Sequence, residues 1–161
     1  MFLDLQTKFS GTTSAAGVNL GDPITATAIS SNVLDRLAGN VSGLALEDEG
    51  IAGPLFLVVQ VTDNAFTAAG AATLTVTLES DTTANLATTP VVHFSSPAIP
   101  KATLVLAFQL RWSVPNSDDY KRFLGTRYTV ATGPFTAGNL VAYLTNALAR
   151  NKVYPIGFGV S

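Results

Sequence analysis

Cysteine is absent from the chain, which excludes thiol catalysis, cysteine-ligated zinc and iron–sulfur clusters. The absence also fits an intracellular or assembly setting, although cysteine-free secreted domains exist. Charge is scarce: 12% of the residues are Asp, Glu, Lys or Arg, about half the usual share of a soluble domain. Long apolar runs are missing too. Mean hydropathy is +0.35, yet no stretch approaches the ~20 uninterrupted apolar residues that cross a bilayer, so no membrane partner is expected. The opening "MFLDLQTKFS" puts Asp4 and Lys8 where a signal peptide needs an apolar core, which argues against export by that route.

What charge there is falls unevenly. Residues 1–100 carry nine acids and two bases (−7), whereas residues 101–161 carry two acids and seven bases (+5). Two readings follow: an electrically two-sided molecule suited to docking between opposite charges, or strands from the two halves interleaved so that the charges mix. The net charge of −2 is not that of a nucleic-acid binder, and no direct nucleic-acid partner is expected. An apolar-leaning chain with so little surface charge is poorly equipped to live as a free monomer, and partners covering part of its surface would remedy that.

The length of 161 residues suffices for one domain with a core that needs no staples. Strand periodicity dominates it. "TLVLAFQLRWS" (Thr103–Ser113) alternates Leu104, Leu106, Phe108, Leu110 and Trp112 against Val105, Ala107, Gln109, Arg111 and Ser113, the clearest half-buried strand pattern in the chain. "TLTVTLE" (Thr73–Glu79) puts Leu74, Val76 and Leu78 inward and threonines outward, where a β-branched hydroxyl suits a wetted pleat. "PLFLVVQV" (Pro54–Val61) is apolar on both faces until Gln60 and reads as a central, doubly covered strand. "RFLGTRYTV", "FLDLQTKF", "ITATAIS", "PVVHF" and "NLVAYL" complete eight to nine short strands, separated by Gly-, Pro-, Asn- and Ser-rich turns. The expectation is an all-β chain, a single antiparallel, jelly-roll-like β-sandwich spanning residues 1–161 with a long N-terminal loop around residues 10–23. The second half of "NLVAYLTNALARN" has near-helical spacing and leaves a short helix open as an alternative.

The residues that could carry chemistry do not form the required constellations. His93 is the one histidine, and nothing near it in sequence supplies a nucleophile or further ligands. Glu47, Asp48 and Glu49 are consecutive, whereas a calcium loop needs oxygens at alternating positions. "NSDDYKR" (Asn116–Arg122) reads as a turn with surface ion pairs. There is no phosphate-binding glycine loop or dinucleotide fingerprint, and Asn40-Val41-Ser42 is a glycosylation triplet without an export signal. Arg111, Arg122 and Arg127 alternate with Trp112, Phe123 and Tyr128; on strands this places aromatics in the core behind a basic face, rather than forming a base-stacking platform. No catalytic residue, cofactor or metal is expected, and the chain does not read as an enzyme.

One phrase occurs twice. "AFTAAGAATLTVTLES" (Ala65–Ser80) and "GPFTAGNLVAYLTN" (Gly133–Asn146) both run Phe-Thr-Ala, a glycine, then an alternating strand. A Phe anchoring a glycine-bearing bend explains each copy, and two such corners are expected at corresponding ends of two sheets. The copies are too short to support an internal duplication.

The sequence "PLFLVVQVTDNAFTAAGAATLTVTLESD", followed by "IPKATLVLAFQLRWSVP" and "KRFLGTRYTVATGPFTAGNLVAYL", closely resembles the capsid cement (decoration) proteins of short-tailed bacteriophages. "FLDLQTKFS", "SSNVLDRL" and "YPIGF" are similar too, whereas "GTTSAAGVNLGDPITATA" departs from the pattern by its length. The resemblance implies a jelly-roll-like sandwich that sits as a homodimer on the outer surface of the capsid, made in the host cytoplasm, bridging neighbouring major capsid proteins. It brings no catalytic residues. For the capsid interface the expected residues are the basic set Arg111, Arg122 and Arg127 together with Phe2 and Leu3 of the N-terminal strand, which could pair with an exposed sheet edge. The alternative is a carbohydrate- or host-surface-binding sandwich of a virion, which needs exposed aromatics for stacking on sugars; the alternation puts Trp112 and most Phe residues on apolar faces instead.

Overall fold

A computed structural model describes residues 7–13, 19–36, 55–114 and 120–145. Short strands come first: β1 (Lys8–Ser10), β2 (Thr12–Thr13), β3 (Asn19–Leu20), β4 (Asp22–Pro23), β5 (Ala28–Ile29) and β6 (Leu34–Asp35). The longer ones follow: β7 (Phe56–Thr67), β8 (Thr73–Asp81), β9 (Val91–Ser95), β10 (Ile99–Pro100), β11 (Gln109–Ser113), β12 (Phe123–Ala131) and β13 (Ala137–Thr145). All pairings are antiparallel. One sheet runs β1-β13-β7-β11, with β4 also on β13; the other runs β10-β8-β12-β5, with β9 on β8 and β6 on β12. The two sheets pack face to face as an antiparallel β-sandwich. Successive long strands alternate between sheets from β10 onward, which is the jelly-roll-like feature of the connectivity.

The core follows from alternation. Leu74, Val76 and Leu78 of β8 and Leu124 and Tyr128 of β12 meet Leu57, Val59 and Val61 of β7 and Leu140, Ala142 and Leu144 of β13. β7 is central in its sheet, and the outward Val58 joins Val141 and Tyr143 in a second buried cluster on the far face, as a doubly covered strand requires. Tyr128 is fully buried; its hydroxyl donates to Ser10 Oγ at 2.7 Å and accepts from Thr126 Oγ1 at 2.8 Å. Desolvation pushes its pKa well above the ordinary tyrosine value, against the opposing effect of those hydrogen bonds. Tyr128→Phe is expected to cost about 1–2 kcal/mol, read from chemical denaturation with an unchanged m-value.

The two-sided charge reading does not hold. Both sheets interleave strands from the two halves, and the ion pairs Arg122–Asp35 and Arg127–Glu79 each join one half to the other. Among the described residues, charge is therefore mixed across the two sheets.

The twice-used phrase is a corner in both copies, as expected: the first carries β7 of one sheet into β8 of the other, and the second carries β12 back into β13 of the first. What the sequence did not disclose is that the two corners touch each other. Phe66 and Phe135 stack edge-to-face at 4.8 Å and 77°, Thr136 N–H donates to the Thr67 carbonyl at 2.7 Å, and the two threonine hydroxyls lie 2.8 Å apart. Gly138 interrupts the ladder between β13 and β7 at φ +148°, and a Cβ there would lie 2.4 Å from the Phe66 ring. Opposite it β7 bulges: Asp63 takes φ +27° and its carboxylate accepts the Gly21 N–H at 2.7 Å.

A second correction lies beside that bulge. Only Gln109–Ser113 of the expected strand 103–113 is a strand; residues 101–103 form a turn, and Ala107 has φ +65°. Alternation is a local signal, and it cannot register that the neighbouring strand has lost its straight ladder. Leu104 still reaches the core, but Leu106 is 56% exposed. Likewise only Ala28–Ile29 of "ITATAIS" is strand. Of the region 10–23, residues 14–18 lie outside the described residues; on either side of them β2 pairs with β3, and β4 pairs with β13. "NLVAYL" is strand within β13; the residues proposed as a helix lie outside the described residues, as do Glu47–Glu49 and Asp118–Asp119.

Candidate interaction surface

The three arginines do not make one basic face. Arg111 lies on β11 in one sheet, Arg122 beside β12 and Arg127 on β12 in the other. Phe2 and Leu3 lie outside the described residues.

Arg127 is a structural clamp. Its Nε donates to Glu79 Oε2 at 2.9 Å, with Glu79 nearly buried, and its Nη2 donates to the Leu86 carbonyl at 2.5 Å. Leu86, at φ +48°, is fully buried over Gly125, where a Cβ would come within 2.9 Å of its Cδ1. The loop 82–90 is anchored at its base by Asp81, which accepts N–H bonds from Thr82, Thr88 and Thr89 and a hydroxyl bond from Thr89. Burial alone would raise the Asp81 pKa, but the amides of Thr89, Thr88 and Thr82 outweigh it and hold the carboxyl well below the usual range. A depressed folded-state pKa contributes stability that is complete above the unfolded value of about 4 and is lost as pH falls from there toward the folded value. The thermal midpoint of the wild type is therefore expected to fall more steeply than that of Asp81→Asn as pH drops below about 4, measured by circular dichroism melts.

Arg122 is exposed. It grips Asp35 with two bonds of 2.9 and 2.8 Å, which raise its pKa, and its guanidinium lies 4.8 Å from the Phe123 ring. Solvent screens a pair so exposed and leaves it little net stabilisation, so Arg122→Ala is expected to leave the denaturation midpoint nearly unchanged.

His93 does have a hydroxyl beside it, which proximity in sequence concealed. The β8–β9 pairing, with its register shift, brings Ser80 Oγ to 2.7 Å from Nε2. Ser80 is fully buried, however, and its oxygen also accepts the Lys121 amide at 3.0 Å. A substrate carbonyl has no approach to it, so this pair serves as a pin between β9 and the start of β12. The His93 ring stacks on Tyr120 at 3.8 Å. A void of about 10 Å³ between the sheets, lined by Val59, Val61, Leu74, Leu104 and other apolar side chains, is no larger than a single water needs and offers that water no polar partner.

The side of the sandwich that carries β9 and β11 is different. Trp112, expected inward, lies on the core-facing side of the edge strand β11 yet is 46% exposed; one ring face stacks on Phe94 of β9 at 4.3 Å, joining the two sheets at their margins. Val92, Val105 and Leu106 are more than half exposed in the same stretch of chain. Residues 91–114 contain no acid at all, while Lys101 and Arg111 are basic.

This arrangement defines a class: an antiparallel β-sandwich that exposes several large apolar side chains within the segment 91–114, which has no acid of its own. A family model described as Bbp16 matches residues 18–144, most of the chain, and the protein belongs to the Bbp16 family. No curated protein matches it.

Proposed function

We propose that this protein is a phage capsid cement: a structural, non-enzymatic protein that binds the outside of the assembled head, as a homodimer, and bridges neighbouring major capsid proteins. The observation that carries the reading is the exposure of four large apolar side chains, Val92, Val105, Leu106 and Trp112, within one acid-free segment of a chain short of charge, a surface that a protein partner would cover. The resemblance of the sequence to phage cement proteins gives that partner its identity. Binding the assembled shell and not the free subunit stabilises the shell by linkage, and a two-fold dimer makes its second contact intramolecularly. Co-sedimentation with expanded heads lacking the protein is expected to saturate, with no binding to free subunits; heads that take up none of it would refute the reading.

A second reading is favoured by one feature: Trp112 is an exposed aromatic of the kind a sugar-binding sandwich needs. Under it, a glycan array gives defined hits that Trp112→Ala abolishes; under the cement reading it gives none.

A further inference from the structure

We infer that β11 is a docking edge that accepts an extended partner segment as an added antiparallel strand, with an acid of that segment against Arg111 and apolar residues against Trp112. This rests on the cement reading for the partner's identity, but its geometry stands on β11 alone. Strand β11 pairs with β7 on one side, in the register Gln109↔Gln60 to Ser113↔Phe56. Val114 N–H donates to the Leu55 carbonyl and Val61 N–H to the Phe108 carbonyl, so the even-numbered residues point their backbone groups at β7. By the alternation of an antiparallel ladder, Gln109, Arg111 and Ser113 point theirs the other way. No hydrogen bond from the described residues meets those groups. The edge also lacks the usual guards, having no proline and no inward charge.

The side chains state what would fit. Arg111 opposes Val58, so it stands on the outer face, where its Nε donates to Gln109 Oε1 at 2.6 Å; it is exposed, and no carboxylate among the described residues pairs with it. Trp112 opposes Leu57 and stands on the core-facing side beside Phe94. An incoming strand therefore meets a cation on one face and an aromatic lip on the other, and its own alternation must put acid and apolar residues there in turn. A second copy of this chain is the poorer occupant. Two β11 strands paired edge to edge would set Arg111 against a strand that has no acid, so neither copy's β11 supplies the anion.

The test uses two acetylated, amidated hexapeptides, one alternating valine with glutamate and one alternating valine with lysine, titrated into the labelled full chain and followed by amide NMR shifts. The glutamate peptide is expected to shift residues 105–113, to bind at least tenfold more tightly than the lysine peptide, and to weaken with salt. Arg111→Pro removes an N–H that faces away from β7, so the sheet keeps its bonds while peptide binding is lost. Should that variant fail to fold, Arg111→Glu is expected to invert the preference between the peptides. No shifts with either peptide, shifts elsewhere, or concentration-dependent self-pairing at 109–113 without peptide would overturn the inference. Head binding separates the two claims. If the glutamate peptide pairs at β11 but wild type does not bind heads, the cement reading falls and the docking edge stands. If heads bind wild type, Arg111→Pro and Arg111→Glu equally and the peptides do not pair, the edge falls and the cement reading stands.

Discussion

Phe66→Ala is expected to lower the unfolding free energy by about 3–5 kcal/mol, the range for removing a buried phenylalanine. The ring is 5% exposed, packs edge-to-face on Phe135, and fills the space that Gly138 leaves by having no side chain. The same geometry makes Gly138→Ala costly. Its Cβ would overlap the ring, and its φ of +148° strains any L-residue, so about 2–4 kcal/mol is expected from overpacking and strain together. The two effects are coupled. With the ring gone, alanine at 138 keeps the backbone strain but loses the clash, so the double variant is expected to be more stable than the sum of the single losses predicts. Strict additivity in a denaturation cycle would show that the ring and the glycine do not share the site.

Arg127→Ala is the second large effect, expected at about 2–3 kcal/mol. Removing one partner of a fully buried ion pair costs ~3–5 kcal/mol; the discount reflects the 28% exposure of Arg127. Among the described residues, Glu79 would keep only its bond from Thr77 Oγ1, and the Leu86 carbonyl would lose the guanidinium donor. Glu79→Gln in the Arg127→Ala background is expected to restore part of the loss by removing the stranded charge. Faster hydrogen exchange at Thr88 and Thr89 would locate the damage in the loop 82–90. Because Arg127 holds a loop, its loss is expected to lower stability without changing the salt dependence of head binding, whereas loss of Arg111 changes that salt dependence and leaves stability intact.

These contrasts show what the sequence disclosed and what it hid. The all-β sandwich was legible because Leu74, Val76, Leu78, Leu124, Tyr128 and Leu140 alternate with polar residues, and that pattern alone decides which face is core. The central place of β7 was legible in its two apolar faces. What alternation could not reveal was anything set by the neighbouring strand. Beside the Asp63 bulge, "TLVLAF" is turn and irregular chain instead of strand, and Leu106, expected inward, is exposed while Val105 is exposed as its outward place in the pattern implied. The pairing of the two Phe-Thr-Ala phrases depends on β7 and β13 being neighbours, which no local pattern encodes. The arginines showed the same limit: all three read as outward and basic, yet only their partners, Glu79 for Arg127, Asp35 for Arg122 and no described carboxylate for Arg111, distinguish clamp from surface cation. Ser80 came to His93 by the same route, through strand register.

The most direct measurement of the central claim is a reconstruction of expanded heads incubated with the purified protein. The cement account predicts added density on the outer surface, two copies related by a two-fold axis, with the margin of residues 104–113 against neighbouring major capsid subunits. Heads that show no added density, or density that touches a single subunit and bridges none, would contradict it.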